Sequence, residues 1–138
     1  MMICDTGPLV AALNARDPEH RVCADLLARF AGEVAAPAPV VTETALFSLR
    51  RFGADAQLLL LESVAAGEIE VLDLEPADHQ RIVELCRKYR DLPLDQVDAS
   101  VIAIAERLGH RTVASIDRRH FSVVRLEDGS SLELLPAL

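Results

Sequence analysis

Apolar residues in this chain fall into short runs, some interrupted by an acid, that are separated by longer stretches with helical spacing. Runs of strand length occupy residues 1–5, 33–37, 69–74 and 112–116, and such runs are typical of buried parallel strands. Between them, helices are predicted to begin near proline and to stop at glycine. They are expected from Pro8, from Pro18 to about Gly32 with Asp17 as N-cap, and over residues 39–51, 54–66, 76–89 and 95–109.

The clearest helical pattern follows Asp95. One stripe carries apolar residues at i, i+4, i+7, i+8 and i+11, namely Val97, Val101, Ile104, Ala105 and Leu108. At about 100° per residue, Asp98 lies on the flank of this buried face, whereas Asp95 is rotated toward solvent. The pattern therefore predicts Asp95 as the N-cap, Asp98 as the better ligand, and Gly109 as the helix end.

Strands that alternate with helices predict a mainly parallel α/β sheet with helices on both faces. The length of 138 residues predicts one domain. Residues 123–126 and 132–135 are expected to add a fifth strand or a hairpin around Asp128-Gly129. In such sheets ligands bind outside the carboxyl ends of the strands, so the chemistry is expected near Asp5 and Asp117.

Four acids are candidates for that chemistry, and each has a structural alternative. Asp5 could be only the N-cap of the next helix, Glu43 a solvated surface residue, and Asp98 a first-turn acid favoured by the helix dipole. Asp117 could be a turn aspartate. Ser115, two residues before Asp117 on the same side of the strand, could support a carboxylate or a metal-bound water.

Taken together, the four acids indicate a metal site. Several carboxylates in one crevice repel each other and raise their own pKa values, and a divalent cation removes that cost. Oxygen ligands without cysteine or histidine favour Mg²⁺ or Mn²⁺ over zinc. Such sites suit phosphodiester cleavage, because the metal lowers the pKa of an attacking water and stabilises the leaving oxygen.

Composition limits the remaining possibilities. The net charge of −8 argues against a general nucleic-acid binder, but arginine pairs could form a basic rim around an acidic centre. The candidates for RNA binding are Arg50, Arg51, Arg118 and Arg119. No apolar run approaches the roughly 20 residues that span a bilayer. Three cysteines without CxxC spacing indicate free thiols and a cytoplasmic protein.

The chain resembles the PIN-domain ribonucleases, in particular the VapC-type toxins of VapBC toxin–antitoxin pairs. The resemblance covers essentially the whole chain and rests on ICDTGPLVAAL, VTE with Glu43, LPLDQVDASVIAIAERLG and TVASIDRRHF. It implies a three-layer α/β/α sandwich around a parallel sheet of four or five strands. It also implies a metal pocket formed by Asp5, Glu43, Asp98 and Asp117, with Thr6 and Ser115 as supporting hydroxyls.

The same resemblance implies a function and partners. These are endonucleolytic cleavage of structured RNA (often tRNA or ribosomal RNA), a homodimer, and a VapB-type antitoxin whose tail blocks the acidic pocket. Asp95 stands where many relatives have an additional acid, and His120 stands where some relatives carry one. Without that carboxylate beside Asp117, the number of metals, one or two, stays open.

Three other functions use similar residues. A haloacid-dehalogenase-like, metal-dependent phosphatase needs a second acid two residues after the first, where this chain has Gly7. A receiver domain needs a lysine at a late strand end, but the lone lysine, Lys88, lies in a predicted helix. A catalytically inactive PIN fold that acts as a binding module is compatible with the sequence, although all four acids are present.

Overall fold

The computed structural model describes residues 1–137 and is a three-layer α/β/α sandwich around a parallel sheet. The strands are β1 (Met2–Cys4), β2 (Val34–Pro37), β3 (Glu70–Leu72), β4 (Thr112–Ala114) and β5 (Glu133–Leu135). The helices are α1 (Thr6–Leu13), α2 (His20–Arg29), α3 (Ala38–Phe52), α4 (Ala54–Ala65), α5 (Pro76–Lys88) and α6 (Gln96–Leu108). The predicted fold class is confirmed.

The sheet has the order β3-β2-β1-β4-β5, and each neighbouring pair is parallel. In the centre, Ile3 pairs with Ala35 of β2 on one side and with Val113 of β4 on the other. The chain order reverses between β1 and β4, so the carboxyl ends of these two strands form the switch point at which open α/β sheets bind ligands. Asp5 directly follows β1 at this point.

The helices form two groups that cover the sheet. Helices α1 to α4 pack against one another and α5 packs against α6, while α3 contacts β2 and β3 and α6 contacts β1 and β2. Residues 99–105 of α6 are all buried, which explains their almost uninterrupted apolar character. Phe121, in the loop after β4, is the largest fully buried side chain and fixes that loop to the core. No helix in residues 1–137 is both long and apolar enough to cross a membrane.

Two predictions about helix starts are wrong. Pro8 is the third residue of α1 rather than the first, because the helix already begins at Thr6. Asp17 is not the N-cap of α2, since Glu19 occupies that position. The Asp17 carboxylate instead accepts a hydrogen bond from the Glu19 backbone N–H at 2.8 Å, so the side chain stabilises a turn in the loop before the helix.

The C-terminal tail forms the expected fifth strand but not the hairpin. A turn is present, because the Gly129 N–H donates to the Leu126 carbonyl and the Leu126 N–H donates to the Ser130 carbonyl, each at 2.8 Å. Residues 123–126 before it are nevertheless not a strand. After the turn, β5 pairs in parallel with β4 at the sheet edge, with Leu134 opposite Val113.

Candidate functional site

A cleft of about 390 Å³ lies at the carboxyl ends of the central strands and contains all four acids. The end of β1 is tied to β4 by a 2.9 Å hydrogen bond from the Asp5 N–H to the Ala114 carbonyl. The lining residues are Asp5, Thr6, Gly7, Val10, Asp17, Glu43, Phe47, Asp95, Asp98, Asp117 and His120. Side chains from the end of β1 at Asp5, from α1, α3 and α6 and from the loop after β4 therefore converge, as strand-end reasoning predicts.

Asp5 is the most perturbed carboxylate in the cleft. It occupies the N-cap position of α1, but its side chain makes no capping hydrogen bond, so its oxygens are available to the cleft. Burial raises its pKa to about 6, with smaller contributions from the Asp98 and Glu43 carboxylates, while the Thr6 backbone N–H and the Ser115 hydroxyl oppose the rise. The cost of keeping Asp5 ionised therefore favours a bound cation.

Two hydroxyl groups border Asp5. The Ser115 Oγ is fully buried and lies 3.3 Å from Asp5 Oδ2 and 3.1 Å from the Asp117 carbonyl oxygen. Its one proton serves one of these acceptors at a time. The buried Thr6 Oγ1 has no hydrogen-bond partner among the described residues. A buried polar atom without a partner is costly, and a ligand or water in the cleft would satisfy it.

Asp95 and Asp98 have separate roles in α6, but both face the cleft. Asp95 is the predicted N-cap, and its Oδ1 accepts a 2.9 Å hydrogen bond from the Asp98 N–H. It nevertheless lines the cleft as well, so the expectation that it turns to solvent holds only in part. Burial, with a contribution from Asp95, raises the pKa of Asp98, while a hydrogen bond from His120 opposes the rise.

His120 contacts Asp98 directly. Its Nδ1 lies 2.7 Å from Asp98 Oδ2, and the two side chains are 26% and 15% exposed. In the sequence, His120 is distinguished only by standing where some relatives have an acid. The distance from Asp98 in the chain is 22 positions, so no local pattern could have predicted the contact.

Asp117 lies at the open side of the cleft and is paired with an arginine. Its side chain is 64% exposed, and Arg119 holds both carboxylate oxygens, at 2.7 and 3.0 Å. These hydrogen bonds lower the pKa of Asp117. Arg118 points elsewhere and donates to the carbonyl oxygens of Ser115 and Pro136. The two neighbouring arginines therefore differ, since one neutralises an acid and the other ties the loop to the C-terminal tail.

Glu43 connects this cleft to a second, larger groove. It lies in α3, is exposed, and lines both the cleft and a groove of about 920 Å³ along that helix. Arg50 and Arg51 border the groove, and neither has a carboxylate partner within residues 1–137. Phe47 borders both cavities, and its ring centroid is 5.9 Å from the Arg51 guanidinium carbon.

The donor chemistry of the cleft fits a hard divalent cation, although no ready-made cage is present. Carboxylate and hydroxyl oxygens are the ligands that Mg²⁺ and Mn²⁺ prefer. Within residues 1–137, however, no group of three His, Cys, Asp or Glu side chains is arranged to hold an ion. Two of the four acids are turned to partners of their own, Asp98 to His120 and Asp117 to Arg119.

These features define a parallel α/β protein with an acidic, oxygen-lined cleft at its topological switch point. The family model of the PIN domain matches residues 2–126, and the chain belongs to this family. It is 30% identical to Ribonuclease VapC26 of Mycobacterium tuberculosis over 135 residues, which cover 98% of this chain and 100% of the relative. That similarity makes it a VapC-type member of the family.

Solved structures agree with the fold. The toxin VapC20 of Mycobacterium tuberculosis, described as cleaving the sarcin–ricin loop, is 20% identical and superposes with a TM-score of 0.79. The match covers 86% of this chain and 91% of that structure. FitAcB of Neisseria gonorrhoeae is 22% identical, with a TM-score of 0.60 over 86% of this chain and 88% of that one.

Proposed function

We propose that this protein is an Mg²⁺- or Mn²⁺-dependent endoribonuclease that cleaves structured RNA and acts as the toxin of a toxin–antitoxin pair. The observation that carries the proposal is the convergence of Asp5, Glu43, Asp98 and Asp117 on one cleft. Within the described chain, Asp5 and Glu43 have no cationic side chain to balance them. Family membership and the ribonuclease relative support the same activity.

In this proposal the four acids hold the metal, and Thr6 and Ser115 support them. A bound divalent cation would lower the pKa of a water molecule and stabilise charge on the phosphate oxygens. The protein contributes the position of the ligating carboxylates. The Ser115 hydroxyl is within 3.3 Å of Asp5 Oδ2, and burial raises the pKa values of Asp5 and Asp98, which favours a cation beside them.

The RNA would enter from the groove along α3. Arg50 and Arg51 are exposed beside that groove, and guanidinium groups bind phosphate through paired N–H donors. They supply positive charge next to an acidic centre in a chain with a net charge of −8. Arg118 and Arg119 are weaker candidates, because their guanidinium groups already have partners.

The decisive experiment uses purified protein and two structured substrates, a tRNA and a ribosomal RNA fragment. We expect cleavage with Mg²⁺ or Mn²⁺, none with EDTA, and products with 5′-phosphate ends. Asp98→Asn should abolish cleavage. Asp91→Asn, at an exposed position outside the cleft, is the matched control and should leave cleavage unchanged.

Other outcomes would point to the alternatives. Cleavage that persists in EDTA would contradict the metal site. Absence of cleavage with either metal would favour an inactive binding module, and release of phosphate from a monoester without RNA cleavage would favour a phosphatase.

We further propose that residues 1–138 form one nuclease domain that works in the cytoplasm as a homodimer and binds a VapB-type antitoxin. An apolar surface on α3 and α4 supports a protein partner, because exposed apolar patches mark interaction sites. Its large side chains are each at least 40% exposed, namely Leu46, Phe47, Leu49, Phe52, Leu58, Leu59 and Leu61. Light scattering of the purified protein, which should give twice the monomer mass, tests the dimer.

A further inference from the structure

The backbone of His120 is anchored by hydrogen bonds that do not involve Asp98. It belongs to the loop after β4, in which the neighbouring Phe121 is only 1% exposed. The His120 carbonyl accepts hydrogen bonds from the Val123 and Val124 N–H groups, each at 3.2 Å. The imidazole therefore reaches Asp98 from a fixed backbone position.

The direction of the contact follows from its chemistry. An ionised carboxylate can only accept hydrogen bonds. With Asp98 ionised, the 2.7 Å contact between His120 Nδ1 and Asp98 Oδ2 requires the hydrogen on Nδ1, which makes Nδ1 the donor. The bond occupies Oδ2 and fixes the carboxylate plane, while Oδ1 is not engaged by any hydrogen bond within the described residues.

The other charged groups near Asp98 are all acidic. Asp95 comes from the start of α6, Asp5 from the end of β1, and Glu43 from α3. Their repulsion would turn a free Asp98 carboxylate away from the centre of the cleft. His120 is the one side chain among the lining residues that can donate to Asp98 from a ring N–H, and it opposes that rotation.

We propose that His120 is a positioning residue that orients the Asp98 carboxylate for a divalent cation through its Nδ1–H donor. The inference rests on the metal site of the proposed function. Hydrogen bonds to ligating carboxylates are a general means of tuning metal sites, and their loss costs about 10- to 100-fold in metal affinity. His120 thus donates a hydrogen bond to Asp98. A further carboxylate at this position could not do so and would only add negative charge.

Replacing His120 with asparagine or with glutamine tests whether a donor at the position of Nδ1 is what matters. The amide nitrogen of asparagine is bonded to Cγ, as His120 Nδ1 is, whereas that of glutamine lies one bond further out. We expect His120→Ala and His120→Gln to weaken Mn²⁺ binding about 10- to 100-fold. His120→Asn should stay within about a factor of three of wild type, because it restores the same donor. His110→Asn, at an exposed position outside the cleft, should change nothing.

The measurement is the free Mn²⁺ signal in electron paramagnetic resonance, recorded without RNA. An Mn²⁺ affinity equal to that of wild type in all three His120 variants would overturn the proposal. An asparagine variant that binds Mn²⁺ as weakly as the alanine variant would also overturn it. If wild type itself binds no Mn²⁺, the proposed function fails and the positioning role fails with it, whereas the first two outcomes leave the metal site intact.

A second measurement needs no variant and no metal. In wild-type protein with EDTA, the ¹⁵N chemical shifts of the imidazole report which ring nitrogen carries hydrogen. A protonated-type shift at Nδ1 of His120 is expected. An unprotonated-type shift at Nδ1 would exclude it as the donor and overturn the proposal.

Discussion

The two sides of the acidic cleft balance their carboxylates in different ways. On the inner side, burial raises the pKa values of Asp5 and Asp98, and no arginine or lysine reaches them within the described chain. On the outer side, Asp117 is exposed and its pKa is lowered by Arg119. The inner acids therefore lack a full counter-charge, while the outer acid carries its own. This difference locates the demand for a cation on the inner side.

The largest expected effect is on cleavage. Asp5→Asn should reduce kcat/KM on the order of a thousandfold, because a catalytic metal supplies several kcal/mol and each 1.36 kcal/mol is a factor of ten. Asp117→Asn should cost only about tenfold, since Arg119 already neutralises that carboxylate. Single-turnover cleavage of one RNA by both variants measures the ratio, and equal losses would remove the distinction between the two sides.

The next effect concerns stability without metal. The pKa of Asp5 rises from 3.8 to about 6 on folding, so its ionised form disfavours the folded state. The penalty is absent below the unfolded pKa, grows as the pH rises, and is complete above the folded pKa. At about 1.4 kcal/mol per pH unit it reaches up to about 3 kcal/mol. In EDTA at pH 7, Asp5→Asn should therefore unfold at higher denaturant concentration than wild type.

Two comparisons test the cause of that stabilisation. The advantage of Asp5→Asn should shrink as the pH falls from 7 to 4. Saturating Mg²⁺ should largely cancel it, because a cation that binds only the folded wild type adds about 2.7 kcal/mol at one hundred times its dissociation constant. Asp117→Asn is the matched control. Its lowered pKa predicts no gain, and a gain there would mean that cleft burial is not the source.

Local rules predicted most of the fold. Apolar runs located all five strands, and glycines at the ends of α3 and α6 marked where those helices stop. The errors arose where two local options compete. Asp17 could cap a helix or stabilise a turn, and the structure has the turn. The segment 123–126 has the apolar character of a strand but does not form one. The only strand of the tail within residues 1–137 is β5, which pairs with the distant β4.

The site was predicted less completely, for a physical reason. Strand-end geometry depends on topology, so Asp5 and Asp117 could be placed at one edge from the chain order alone. The partners of the acids depend on the path of the loop after β4, which is set by burial of Phe121. The pairing of Arg119 with Asp117, the tie of Arg118 to the tail, and the approach of His120 to Asp98 all follow from that path.

The smallest expected effect distinguishes the arginines that bind RNA from those that do not. Each phosphate contact contributes about 0.7 to 0.9 to the slope of log affinity against log salt concentration. Replacing both Arg50 and Arg51 with alanine in an Asp98→Asn background, which prevents cleavage, should therefore lower the RNA-binding slope by about 1.5. Arg119→Ala should change it little, because that guanidinium is held by Asp117. Arg118→Ala should leave the slope unchanged and lower the melting temperature, since Arg118 donates to backbone carbonyls. A slope that falls with Arg119→Ala but not with the double variant would place the RNA on the outer side of the cleft.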